Sequence, residues 1–228
     1  DYLDHKDMGF EPAGVIKVSN AYEIGEINNY RMLKAELLNS PLIAGVSFGP
    51  MMGDGMNPLA YKPEGQEQTF ENLLSYGVDT DYFDVMGMDI MEGDFKSLLQ
   101  SAEDGQIVSL VNESFVNRFG WQTEPIGKKL ILRPGTENEL NRQVSAVFRD
   151  FHFFSLKERI TPQIISLRPD PQFVNTNLLI KTATPDMQAA VDYVNDKWGQ
   201  FVMGIPLNYS MMDDAVKSIY ANERKTGR

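Results

Sequence analysis

Asp79, Asp81 and Asp84 stand close together, and this carboxylate cluster is the first place where the sequence offers chemistry. Two carboxylates at such spacing can hold a calcium ion or share general acid and general base roles. An EF-hand loop needs a central Gly and a later ligand Glu at fixed spacing, and neither follows here. The simpler reading is that Thr80 or Asp81 caps a short helix through Tyr82, Phe83 and Met86, closed by Gly87. The chain has two histidines, His5 and His152. His152 lies between Phe151 and Phe153 at a strand end, placed for a general base or, more simply, for ring-to-backbone hydrogen bonds. A nucleophilic triad has little support, since there is no cysteine and no serine elbow is taken from the sequence. Gly49-Pro-Met-Met-Gly-Asp-Gly55 is Gly-rich and follows a strand, yet it lacks the Gly-Lys-Ser/Thr of a phosphate loop. It reads as a turn that exposes Met51, Met52 and Met56. Trp121 offers a stacking surface, with anchoring in a core as the simpler role. The sequence therefore assigns no catalytic residue, no metal ligand and no cofactor-binding residue.

The elements around these residues follow from periodicity. Gly14 to Ser19 reads as a strand, followed by a helix with Tyr30, Leu33, Leu37 and Leu38 at helical spacing. Asn39-Ser-Pro41 stops that helix, and Leu42 to Phe48 reads as a second strand. Near the other end, Leu178 to Thr182 is a strand and Thr184 a helix cap, with Pro185 in the first turn. Met187, Ala190, Val191, Val194 and Trp198 make one apolar face, Gly199 ends the helix, and Ile205 to Ser210 is the returning strand. The two ends thus look like copies of one β-α-β unit, whose helices would lie on one sheet face. Between them, Ile107 to Val111 reads as a buried strand, and Asn112 caps a helix bearing Phe115 and Phe119. Lys129 to Arg133 and Gln143 to Phe148 pair as a hairpin. The chain closes on an amphipathic helix with Met212, Val216, Ile219 and Tyr220 on one face. Asp213 and Asp214 at its start and Arg224 and Lys225 near its end suit the helix dipole.

This organisation is α+β: a discontinuous subdomain from residues 1–60 and 146–228, with a smaller α+β subdomain, 61–145, inserted. A length of 228 residues suffices for two such cores. The net charge of −11 argues against a nucleic-acid partner, because phosphate binding needs a basic face. Without cysteine there are no disulfides, thiolate catalysis or Cys-based zinc sites. No run reaches the roughly 20 apolar residues that a membrane span needs.

Four segments, in order, resemble the extracytoplasmic domains of MacB/FtsX-type ABC transporter permeases in their Bacteroidetes form. Val78 to Phe95 is similar to the block D-x-x-Y-F-x-x-x-G…G-R-x-F, although the Arg after Gly93 is missing. Ile107 to Trp121, with Pro125-Ile-Gly-Lys128, resembles V-N-E…F-G-W…P-I-G-K. Asp150-Phe-His-Phe153, Ser155-Leu156, Ile160 and Pro162 match a strand end and the start of the next strand. Here Ala146-Val-Phe148 replaces the usual Gly-Val-Val. Tyr220-Ala-Asn-Glu-Arg-Lys-Thr-Gly227 resembles the segment leading into a second membrane helix, and Asp7-Met-Gly-Phe10 the one just after the first.

The resemblance implies a porter-like subdomain built from both ends, a sabre-like insertion and no enzymatic activity. It implies a place on the periplasmic side of a bacterial inner membrane, anchored by flanking helices outside this sequence. Implied partners are a cytoplasmic ABC ATPase, a second permease subunit and a periplasmic adaptor or substrate protein. The competing readings are a secreted glycan-active enzyme using two of the acidic residues, and a stand-alone ligand-binding module with an apolar pocket.

Overall fold

Alternating apolar residues near both ends of the chain need one covered sheet face, and they share it. The computed structural model describes residues 7–51, 54, 58–153, 155–169 and 177–226. Strands β1 (Val15–Val18), β2 (Ile43–Gly49), β10 (Asn177–Thr182) and β11 (Tyr209–Met211) form an antiparallel sheet in the order β11-β1-β10-β2. The two β-α-β units therefore interlock, each lending a strand to the middle, as in split β-α-β folds. Helices α1 (Ile27–Leu38) and α5 (Met187–Phe201) cover one face. Their Tyr30, Leu33, Leu37, Ala190, Val194 and Trp198 bury against Ile16, Val18, Val46, Phe48, Leu178 and Ile180. Leu38, expected on that face, is exposed.

The α5 boundaries differ from expectation at both ends. Its cap is Asp186, whose carboxylate accepts from Ala189 N at 3.0 Å, while Thr184 Oγ1 accepts from Asp186 N and holds the preceding turn. Gly199 lies inside the helix, because Trp198 and Phe201 still find core partners on either side of it. The returning strand is only three residues long, with Ile205 exposed.

The middle of the chain builds β3 (Leu59–Pro63), β4 (Phe70–Val78), α2 (Tyr82–Met86), β5 (Ile90–Glu92), α3 (Phe95–Glu103), β6 (Val108–Asn112), α4 (Glu113–Phe119), β7 (Lys129–Leu132), β8 (Leu140–Phe148) and β9 (Gln163–Leu167). The sheet order is β5-β8-β6-β9-β4-β3-β7, and β7 also pairs with β8. The ring β8-β6-β9-β4-β3-β7 is thus closed, which removes most free edges. Tyr61, Leu73, Val111, Phe115, Trp121, Leu130, Val144 and Ile164 fill its interior. The chain ends with α6 (Met212–Thr226), following β11 directly.

The two sheets divide the chain at a different place from the expected boundary at 145–146. Strand β8 runs through that point, and β9 pairs with both β4 and β6 in the larger sheet. The apolar run of Val144, Ala146, Val147 and Phe148 contains no turn residue that could end the strand there.

A third apolar cluster joins the sheets. It takes Val15, Leu179, Met212 and Val216 from the chain ends and Val78, Tyr82, Phe83, Val85, Met86, Phe148 and Phe151 from the middle. Helix α2 reaches the small sheet because β2 presents Gly45, Ser47 and Gly49 on that face. A Cβ at Gly49 would lie 2.3 Å from the Tyr82 ring. Tyr82 donates its hydroxyl to Pro50 O at 2.6 Å, so the ring cannot swing away cheaply. Gly49→Ala is expected to destabilise the fold by about 1–3 kcal/mol through overpacking. Urea unfolding would read this as a lowered midpoint with an unchanged m-value.

Candidate functional site

Asp79 follows β4 directly, and this position turns its carboxylate away from α2 and toward the small sheet. The residue is 1% exposed. Its Oδ1 accepts from Ser47 Oγ at 2.5 Å and from Asp81 N at 3.1 Å. Its Oδ2 accepts from Tyr30 Oη at 2.8 Å, Lys34 Nζ at 3.2 Å and Phe48 N at 3.3 Å. Four of these five donors belong to α1 or β2, so one carboxylate of the larger sheet is held by the smaller one. Lys34 also pairs with Asp81.

Burial pushes the Asp79 carboxyl up from its usual range, against the pull of Lys34 and the hydrogen bonds from Ser47 and Tyr30. Burial alone would lower the Lys34 ammonium, but Asp79 and Asp81 outweigh it and hold the group above its ordinary value. Burial first, and then Asp79, keep the Tyr30 phenol protonated well above its ordinary value. The arrangement is a charged latch between two elements. Its lysine is bound by both nearby aspartates, which leaves neither placed as an independent acid or base.

The side-chain capping expected of Thr80 or Asp81 is not what the structure shows. Asp81 occupies the N-cap of α2 without a side-chain cap bond, and Thr80 donates to Glu103 Oε1 at 2.6 Å. Among the described residues no group of three His, Asp or Glu side chains is arranged to hold a metal. The spacing Gly45-Val-Ser-Phe-Gly49 does match the serine-elbow pattern, contrary to the sequence reading. That pattern needs a sharp strand-to-helix turn, whereas Ser47 is fully buried within β2 and spends its hydroxyl on Asp79. Trp121 lies in the barrel core against Phe115. Met51, expected to be exposed, is buried, with its N–H donated to Asp54 Oδ2 at 2.9 Å. His5, Met52 and Met56 lie outside the described residues.

A second constellation gathers the two ends of the chain. Asp150 accepts from Ser114 N at 2.9 Å and Ser114 Oγ at 2.6 Å, and donates its own N–H to Glu113 Oε2 at 3.0 Å. Asn112 Oδ1 caps α4 through Phe115 N and also accepts from Gln163 N at 2.9 Å. Its Nδ2 donates to Thr161 O at 2.9 Å. The 149–162 loop is thereby fixed to the barrel. The N-terminal segment then lies on it. His152 donates its backbone N–H to Met8 O at 3.0 Å, and Arg149 pairs with Asp7. Gly9 has φ +78°, and a Cβ there would sit 2.2 Å from Asp150 O. On the other flank, Lys157 Nζ donates to Glu223 O of α6 at 2.6 Å. The His152 ring places Nδ1 2.9 Å from Ser155 O, the backbone role expected of it.

No protein-family model matches the sequence, and no curated protein sequence matches it. Among solved structures, the fold is similar to the periplasmic region of MacB from Actinobacillus actinomycetemcomitans, with a TM-score of 0.63 at 13% identity over 96% of this chain and 98% of that one. It is also similar to a domain assigned to a permease protein from Porphyromonas gingivalis, with a TM-score of 0.53, 15% identity and coverage of 86% and 87%. The extracellular domain of the ABC-type transporter YknZ from Gram-positive bacteria gives a TM-score of 0.52, 15% identity and coverage of 79% and 87%. The chain therefore has the fold of extracytoplasmic ABC transporter domains, as the resemblance in sequence implied.

Asp79→Ala leaves the Tyr30, Ser47 and Lys34 donors without their acceptor, and is expected to cost on the order of 3 kcal/mol. In the alkaline range the folded state holds more protons than the unfolded state, because Lys34 and Tyr30 both titrate late. Stability is then lost as pH rises above about 10, where the unfolded groups titrate. Lys34→Met should fall less steeply than the parent across that range. Equal slopes in pH-dependent urea titrations would contradict the latch.

Proposed function

We propose that this chain is the non-catalytic extracytoplasmic domain of an ABC transporter permease subunit. The fold likeness supports this reading, and one observation carries it: residues 7–11 and helix α6 both rest on the 149–162 loop. In a permease those two segments would continue into membrane helices, and a movement of either would reach that loop first. The four-stranded sheet corresponds to a porter-like subdomain, and the closed barrel to the inserted, sabre-like one.

The mechanism is lever-like. The loop is bonded to the barrel through Asn112, Glu113 and Asp150, and the barrel to the small sheet through Asp79 and the shared apolar cluster. A displacement at the chain ends therefore carries both sheets together, and no step needs a reactive group. The moving force would come from ATP hydrolysed by a cytoplasmic ABC ATPase. A second permease subunit would supply a paired domain across a two-fold axis. A periplasmic adaptor or substrate protein would receive the movement, in export or in lipoprotein or peptide handling. The domain would lie on the periplasmic side of the inner membrane. Anchoring would fall to flanking membrane helices, as in the permeases that the sequence resembles; among the described residues no helix is long and apolar enough to cross a membrane.

Fractionation of cells making the native gene product tests this directly. The expected result is a product well above the mass of 228 residues, found in the inner-membrane fraction and released only by detergent. A freely soluble product of that mass would overturn the proposal.

A further inference from the structure

The barrel is lined by apolar and aromatic residues, and it also carries a group of arginines. Pairing register shows which residues face inward. Val111 and Ile164 are core residues of the barrel and pair with each other, so Ser109 and its partner Ser166, two positions along, face the same way. Gly77 pairs with Ser166 and faces inward with it. Arg142 pairs with Leu130, another interior residue. Arg168 lies across Gly77, with Nε 3.2 Å from where a Cβ would stand, so a larger residue would displace it. Arg133 follows β7, its N–H donated to Ala60 O at 2.9 Å.

This part of the barrel has unused hydrogen-bonding capacity. Ser109 is 1% exposed, and its hydroxyl finds no partner among the described residues. The Arg142 Nε is also buried without a partner, and one of its terminal nitrogens reaches only the neighbouring Asn141 O at 3.0 Å. Burial, then the charges of Arg168 and Arg133, lower the affinity of Arg142 for its proton. None of the ion pairs found among the described residues involves them. In a chain of net charge −11, these arginines have no ion pair among the described residues, and Arg142 and Arg168 stand two positions along the chain from the register partners of a buried, unpartnered hydroxyl, an arrangement suited to an anion.

We infer that this part of the barrel is a binding site for a phosphate group, held by Arg142, Arg168 and Arg133 with the Ser109 hydroxyl as a further donor. Phosphate is the better fit than carboxylate, because three forked guanidiniums and a hydroxyl offer more donors than two carboxylate oxygens can accept. The group belongs either to free phosphate or to a phosphate ester such as a lipid headgroup. The site uses none of the residues of the latch or of the loop that gathers the chain ends, and does not depend on the proposed transport role.

The test is thermal unfolding of the chain with inorganic phosphate, glycerol 3-phosphate or sodium chloride at matched ionic strength. Phosphate well above its dissociation constant should raise the midpoint by about 2–5 °C over chloride. Both Arg142→Gln and Arg168→Gln should abolish that rise while keeping the phosphate-free midpoint at or above that of the parent, since each removes repulsion. A larger rise with glycerol 3-phosphate assigns the site to an ester, and a rise with inorganic phosphate alone assigns it to the free ion. No difference between phosphate and chloride overturns the proposal, as does a rise that survives in both variants.

Discussion

Asp79 is a carboxylate buried between two sheets, and desolvating such a group costs several kcal/mol unless its oxygens are saturated. Neither sheet can saturate them alone. The larger sheet supplies the acid and the Asp81 N–H, while the smaller supplies Tyr30, Lys34, Ser47 and Phe48. The charge is therefore tolerable only when the two halves are docked in one register. The glycines of β2 serve the same end, since they clear the space in which α2 lies against the small sheet. An apolar cluster fed by both halves supplies bulk stabilisation, and the carboxylate supplies direction. Relative motion is the default between domains whose interface is small and polar; an interface of this composition favours joint motion.

The same logic explains why so many sequence-motif residues are structural rather than reactive. Asn112, Glu113, Asp150, His152 and Gly9 meet in one place although they are far apart along the chain. The first four each satisfy a backbone group that a loop would otherwise leave open, and Gly9 allows the close approach of the N-terminal segment. Together they let one loop hold a barrel, an N-terminal segment and a C-terminal helix. Such a use of polar residues suits the transmission of displacement proposed above.

Much of this was legible in the sequence where local chemistry decides. Asn112 as the cap of α4, Gly87 as the left-handed end of α2, and the interior face of α5 all follow from spacing and type. Two β-α-β units were visible from apolar alternation, though not the order in which their strands interlock, which is a tertiary choice. Strand β8 runs through the boundary expected at 145–146 and spans two pairing environments, joining β7 in its first half and β6 in its second. Periodicity does not register such a switch. Asp79 read as one of a cluster before a helix capped by Thr80 or Asp81, whereas four of its five donors lie 31 to 49 positions away. The stripe Gly45, Ser47, Gly49 was the available signal: three small residues on one strand face imply that something packs closely there.

The central claim is that the two sheets form one cooperative unit. The chain carries two tryptophans, and the fold places one in each half: Trp198 under the small sheet and Trp121 in the barrel. Trp121→Phe and Trp198→Phe variants each report fluorescence from a single half. Urea unfolding followed by fluorescence should give, within each variant, a transition that coincides with loss of far-ultraviolet circular dichroism over the whole chain. A fluorescence transition displaced from the circular-dichroism curve in either variant would show the halves unfolding separately, and would contradict the account.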